Sequence, residues 1–496
     1  METKRRRIVY NDDGGTIIYS PHPYPMTIGQ YYDCVDHLLG TQVDTYVLCV
    51  GEITHREEGG EIQRPVEGNR GYFWRSYHNW LHLESLGIYP DTELINRARS
   101  RGLEAIASLR MNDAHFAYSF EGPESPGQGS EFWRNHPECR IDPGVDSSRV
   151  LRGTSDWPLV LYDYSHPLIQ KLFLDTIDRT FERCDADGFE LDFLRHPHFF
   201  KPGEVLDNLD VMTEVVRSAR DRLDTIGKAK GRKLQLGALV PAVPEAGRQM
   251  GLDVLTWIEE DLLDYIVPKH YIRFLSDVPI EEYLRAADGT ATRVYACLEN
   301  WPKPEDGKPI ESFRGAASSY WRLGADGIYL YNYFNRRPHP HTREDREILQ
   351  EIGDPELIHR KDKRFIMTSV DADAGYQLPL PLTGEHKITF ILGDDSELAS
   401  NEMSLEEVKL RLDFNDLLVE EDLFEIALNG DPLPVHEAEK PFDSETFTFK
   451  TIELDLTQGP LPKIGRNDLE IKLIRRCPGI TEPLTLIRLD IQIRYC

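Results

Sequence analysis

The sequence predicts an α/β chain with a (β/α)8 TIM barrel over residues 1–360, followed by a C-terminal antiparallel β-sandwich domain over 361–496. Three observations lead there. Up to residue 334, short apolar runs alternate with stretches of helical periodicity, the pattern of a parallel sheet covered on both faces. After residue 360 the pattern becomes alternation of apolar and polar residues with no helix signal between, as in antiparallel sheets with one wet face. The chain has 496 residues, more than a single core usually organises. A doubly wound open sheet is the rival, but no G-x-G-x-x-G or G-K-[ST] follows the first strand.

In chain order, the first strand is read at 16–20 (TIIYS), and 27–40 as a helix whose apolar face is Ile28, Tyr32, Val35, Leu38 and Leu39. Residues 44–51 (DTYVLCVG) form strand two, and 52–79 read as a long loop over a functional face. Asp91 is the expected cap of a helix ending on Gly102, and 103–113 form strand three. A second insertion spans 114–157, and Ser165 and Pro167 open a helix that ends near Cys184. Strand four opens the stretch 185–200 (DADGFELDFLRHPHFF). Helices at 209–226, 253–260, 280–287 and 310–323 then alternate with strands at 234–243, 262–271, 292–301 and 326–334. A helix over 342–352 closes the barrel. The sandwich strands are 387–392, 408–414, 424–430, 446–456, 468–474 and 486–495, with Asn429-Gly430 as a turn.

Lys plus Arg number 57 against 85 Asp plus Glu, a net charge of −28. This speaks against nucleic acid or an anionic membrane as the main partner. The basic run at 4–7 reads as a solvated tail. No apolar run is long enough for a membrane span, and the N-terminus lacks the apolar segment of a secretory signal, so a cytoplasmic protein is expected. The seven scattered cysteines read as reduced residues rather than a disulfide or zinc framework. Whether the chain forms a homo-oligomer stays open.

In a barrel the strand ends form one ring, so residues far apart in sequence converge. The ends supply His22; Arg110, Asn112 and Asp113; Glu190, Asp192, Arg195 and His196; Lys269, His270 and Tyr271; Glu299, Asn300 and Trp301; and Tyr331, Asn332 and Tyr333. Glu190 and Asp192 share one face of a strand otherwise fit for burial, which is costly unless they are used. Carboxylates, aromatic platforms, amides and guanidinium groups together suit a sugar, whose edges are polar and whose faces are C–H. Hydrolysis of a glycosidic bond needs two carboxyl groups. The pair expected here is Asp192 as nucleophile or base and Glu299 as general acid, with Glu190 one layer deeper, orienting Arg195 or tuning Asp192. Substrate contacts are expected from Arg110, Asn112, Asp113, Arg195, His196, His270, Tyr271, Trp301 and Asn332. The bland reading is that the acids of strand four pair with basic neighbours and Glu299 with Lys303. Trp74, Trp80 and Trp133 more often pin loops than stack on sugars, and His78, His82, His136 and His166 read as cap, loop or surface residues. His196-Pro-His198 and His339-Pro-His341 lie on loops without a further ligand set, so no metal and no other cofactor is expected.

Residues 187–197 (DGFELDFLRHP) resemble the D-G-[IF]-x-[LF]-D-[FY]-x-R-[FYH]-P segment of glycosyl-hydrolase-like TIM-barrel families, themselves distantly similar to the alpha-amylase superfamily. Residues 131–138 (EFWRNHPE), 161–167 (LYDYSHP) and 324–332 (GADGIYLYN) are similar to further stretches of those families, and the resemblance runs over most of 10–340. It implies a carbohydrate-active barrel and places the amylase-type nucleophile on Asp192. Two positions depart from that pattern. Glu190 stands where an Arg is usual, and Leu239-Val240-Pro241 stand where a fifth-strand acid is usual, which favours Glu299 as the partner. A sandwich after a hydrolase barrel suits sugar binding or bracing. The reading is thus a glycoside hydrolase acting on an oligosaccharide in a walled pocket. The alternatives are a carbohydrate-binding protein with a non-catalytic barrel, or a metal-assisted barrel hydrolase or lyase.

Overall fold

The computed structural model describes residues 7–13, 22–52, 72–113, 131–145, 157–270, 277–299, 309–333, 341–368, 377–415, 417–418, 421–441 and 450–496. Two compact units divide the chain: Met1–Tyr271 with Ile280–Cys297 and Tyr329–Thr342, and Ile272–Pro279 with Leu298–Ile328 and Arg343–Cys496.

A closed barrel is built from β1 (Ile8–Asp12), β2 (Val43–Glu52), β3 (Glu104–Arg110), β4 (Gly188–Asp192), β5 (Gln235–Pro241), β6 (Tyr265–Lys269), β7 (Arg293–Glu299) and β8 (Gly327–Tyr331), in that order. Neighbours from β1 to β7 pair in parallel. Every residue of β4, β6 and β8 is buried. Such strands meet no water on either face, which is why their sequences are apolar apart from Glu190, Asp192 and Lys269. The register sets Asp192 beside Arg110 of β3 and Leu239 of β5. Gly237 of β5 matters to the lumen: a Cβ there would lie 1.9 Å from the Tyr265 ring, so the missing side chain is the space this tyrosine occupies.

The first strand is Ile8–Asp12, and 16–20 lie outside the described residues. The local signal of β1 is only three apolar residues between a basic run and Asn-Asp. Its pairing with Val43–Leu48 decides the matter. Within the expected loop 52–79, residues from Tyr72 onward belong to a helix, Tyr72–Ser85. Asp91 sits in the first turn of the helix Pro90–Ser100 instead of capping it; the proline before it, with its preset φ, takes the first helical position. His166 rather than Ser165 caps the helix Pro167–Arg183, its Nδ1 accepting the Leu168 N–H at 3.3 Å.

The second unit holds two antiparallel sheets. β9 (Lys363–Thr368) and β10 (Leu380–Leu382) pair with β17 (Leu484–Tyr495), which pairs in turn with β12 (Leu405–Asn415) and, through it, β15 (Thr451–Asp455). β11 (Glu385–Leu392), β16 (Gly465–Arg475), β13 (Leu423–Leu428) and β14 (Asp431–Pro432) form the other. Alternate residues are buried along β11 and β13, and the inward side chains make one apolar core that includes Ile388, Leu410, Leu412, Leu454 and Ile471. Asn429 and Gly430, at φ of 54° and 87°, turn β13 into β14. A short helix, Ser396–Asn401, lies between β11 and β12 where none is expected; Asp395 caps it by accepting the Leu398 N–H. The helix Pro309–Leu323 belongs to this unit. A Cβ on Gly315 would stand 2.1 Å from the Arg364 carbonyl oxygen, and one on Gly393 would stand 2.3 Å from Ser318. The Ser319 hydroxyl donates to the Ile391 carbonyl at 2.7 Å.

No helix among the described residues is long and apolar enough to cross a membrane. None of the seven cysteines is in a disulfide.

Candidate active site

The C-terminal rim of the first unit begins with a residue the sequence reading missed. Asp13 follows β1, and the guanidinium of Arg110, closing β3, holds it with Nη2 at 2.9 Å and Nε at 3.2 Å. The same guanidinium donates through Nη1 to Asp113 at 2.6 Å. Arg195 Nη1 stands 4.0 Å from Asp13. Burial pushes the Asp13 carboxyl up, but Arg110, Arg195 and Lys269 outweigh it and hold the group below the usual carboxylate range. One guanidinium therefore clamps two aspartates from two strand ends (bidentate pairing of this kind fixes geometry as well as charge). A strand at Ile8–Asp12 would have exposed Asp13 to sequence reasoning; the signal was the Asn-Asp-Asp run after three apolar residues.

Asp192 closes β4 and is 3% exposed. The Leu194 N–H donates to its Oδ1 at 2.9 Å, and the Tyr331 hydroxyl lies 3.3 Å from Oδ2. Burial raises its carboxyl, with Lys269 acting against that and Asp13 adding to it. Lys269 Nζ sits 3.4 Å from the centroid of the Tyr331 ring, a cation on an aromatic face. Asp192 thus takes its hydrogen bonds from a phenol and a backbone amide, while the aspartates after β1 and after β3 are held by Arg110.

Glu190 lies two residues back on the same face and is fully buried. It does not orient Arg195. Its oxygens receive the hydroxyls of Tyr265 at 2.8 Å and Tyr329 at 2.9 Å, and burial pushes its carboxyl up to about 7 against hydrogen bonds from Ser108, Tyr265 and Tyr329.

His196 is 1% exposed, with Nδ1 3.4 Å from Asp113 Oδ1 and its ring edge-on to Trp157 at 4.5 Å. Burial lowers its basicity, opposed by Asp113. Asn112 clamps loops: its amide donates to the carbonyls of Tyr162 and His198 and accepts the Tyr162 N–H. His270 follows β6 and is half-buried. Asn332 follows β8 with φ of 54°. His22 turns to Asp33 at 3.0 Å. Trp133 and Trp80 are tied down locally, to the Val160 carbonyl and to Glu84. Glu299 closes β7, is 2% exposed and belongs to the second unit. Tyr271 and Trp301 lie outside the described residues. Among the described residues, no group of three or more His, Cys, Asp or Glu is arranged to hold a metal ion.

No family model matches the chain, and no curated protein does. Solved structures do. An alpha-amylase from Anoxybacillus is 11% identical at a TM-score of 0.41 and covers 98% of this chain and 99% of its own. A noncanonic maltogenic alpha-amylase from Thermotoga neapolitana is 12% identical at 0.40, covering 98% and 99%. A cycloisomaltooligosaccharide glucanotransferase from Paenibacillus sp. is 10% identical at 0.34; the chain spans 58% of that protein's length. All three likenesses lie below 25% identity and below a TM-score of 0.5, so any chemistry assigned to the chain rests on its own side chains.

Proposed function

We propose that the protein is a glycoside hydrolase that cleaves a glycosidic bond in an oligosaccharide with two carboxyl groups. Asp192 is the nucleophile or base and Glu299, at the end of β7, the general acid. The observation that carries the reading is the contrast among the rim aspartates of the first unit. Arg110 engages Asp13 and Asp113, whereas Asp192 accepts from a phenol and a backbone N–H, one on each oxygen, which leaves the second lone pair on each oxygen for chemistry. Asp13 with Arg110 and Arg195 forms the polar wall beside it. Residues 361–496 brace the helix Pro309–Leu323 through Gly315 and Gly393.

The test is a screen of nitrophenyl glycosides and plant, marine and host oligosaccharides, comparing wild type with Asp192→Asn and Glu299→Gln. Turnover by wild type that both folded variants lose supports the pair. Turnover surviving in Glu299→Gln moves the acid elsewhere. Sugar binding with no turnover makes the protein a binding module instead, and activity that a chelator abolishes makes it a metal-assisted enzyme.

A further inference from the structure

Two tyrosines of β8 and two carboxyls of β4 form a pair of rungs in the barrel lumen. Residues two apart on a strand share a face, so Glu190 and Asp192 point one way from β4, as Tyr329 and Tyr331 do from β8. The Tyr329 hydroxyl lies 2.9 and 3.1 Å from the two Glu190 oxygens, and that of Tyr331 lies 3.3 Å from Asp192.

The two rungs have unlike surroundings. Around Glu190, β3 supplies Ser108 and β6 supplies Tyr265. From β1 the Asn11 amide donates to the Tyr329 hydroxyl at 2.7 Å, which directs that hydroxyl's own proton to Glu190. β5 supplies Gly237, whose bare backbone lets the Tyr265 ring through, and the apolar Leu239. Val47 of β2, and Tyr295 and Cys297 of β7, belong to the same lumen cluster. These partners are all neutral hydroxyl, amide, thiol or apolar groups. Around Asp192 stand Lys269 of β6, Arg110 of β3 and Asp13 after β1.

Two carboxyls on adjacent same-face positions resist double ionisation, and the proton settles where cations are fewest. We propose that Glu190 is a positioning residue: it holds the proton of the Glu190–Asp192 pair through the neutral range, so that Asp192 meets substrate as the anion. Burial raises both groups, but Lys269 and Arg110 counter it at Asp192, whereas hydroxyl donors alone counter it at Glu190. The proposal rests on Asp192 being the catalytic carboxylate; the place of the proton does not.

That place is measured by thermal unfolding across a pH series, which needs no substrate. The ordinary glutamate value is 4.5 and the folded value about 7. Between them the unfolded chain has released a proton that the native chain keeps, so wild-type stability from this group falls as pH rises through that window. Glu190→Gln carries no such proton. The melting temperature of the variant minus that of wild type therefore rises from pH 4.5 to 7. A difference that stays level or falls overturns the proposal. Tyr329→Phe removes a donor that favours the ionised form, so the upper end of the window moves to higher pH; an unmoved end overturns the proposal even where Glu190→Gln does not fold. Once a glycoside substrate is in hand, the acid limb of kcat/KM keeps its midpoint in Glu190→Gln, and a shift to lower pH shows that Glu190 was charged while Asp192 titrated. If no glycoside is turned over, the function reading fails, and the thermal series still decides where the proton sits.

Discussion

Leu412, Ile471 and Ile491 in the sandwich are as buried as Glu190 in the barrel, at 0–1% exposure, yet the two interiors are filled by different rules. The sandwich core is aliphatic apart from a few phenylalanines, a methionine and a tyrosine. Its buried charges are matched ion pairs: Arg364 Nε with Asp490 at 2.8 Å, and Lys363 with Asp394 at 2.8 Å. In the barrel lumen a carboxyl is held by hydroxyls alone. A buried acid without a cation is unfavourable for stability, and the sandwich shows that this chain builds a core without one. The difference lies in how a buried carboxyl is satisfied: by a cation in the sandwich, by hydroxyls in the lumen.

The largest expected effect breaks the barrel's side of that comparison. Asp192→Asn should lower turnover of any glycoside substrate by about a thousandfold or more, about 4 kcal/mol of transition-state stabilisation, with a melting temperature close to wild type; a fully active Asn variant removes Asp192 from the mechanism. In the sandwich the ranking reverses. Leu412→Ala should cost about 2–5 kcal/mol in urea unfolding, while the acid limb of the pH–rate profile stays where it was. Gly237→Ala sharpens the contrast, because its methyl would fall inside the Tyr265 ring. Overpacking of about 1–3 kcal/mol is expected, and the pH window assigned to Glu190 should shift as Tyr265 is pushed off it. The smallest effect belongs to the barrel floor, where Arg232 bridges Asp185 at 2.6 Å and Asp187 at 3.0 Å, with all three side chains a quarter to a half exposed. Arg232→Ala should cost less than about 1 kcal/mol, fading further with salt.

What could be read from the sequence obeys the same division. The alternation that buries every second residue of β11 and β13 is a local property, so those strands and the Asn429-Gly430 turn were legible. The place of Asp192 at the end of β4 was legible, because Phe189 and Leu191 mark a strand that a proline-interrupted loop follows. The partners of Glu190 were not, since Tyr265 and Tyr329 stand 75 and 139 residues away and no local pattern points a phenol at a carboxyl. Asp13 was missed because β1 carries only three apolar residues beside a basic run, too weak a signal without its pairing to β2. Arg110 and Asn112 were recognised as rim residues, but their bonding to Asp13, Asp113, Tyr162 and His198 depends on loops that the sequence does not place.

The close fit of Gly315 on Arg364, with Gly393 on Ser318 as its counterpart, bears on how such a chain can be recombined. Backbone meets backbone there, with no side chain to adjust. A crossover near residue 360 would join a helix from one ancestor to a sheet from another, and success would require both glycines and the same helix pitch from each parent. Viable chimeras should therefore inherit 309–323 together with 363–393, which makes that block, rather than the strand count of the barrel, the unit in which the protein can be shuffled.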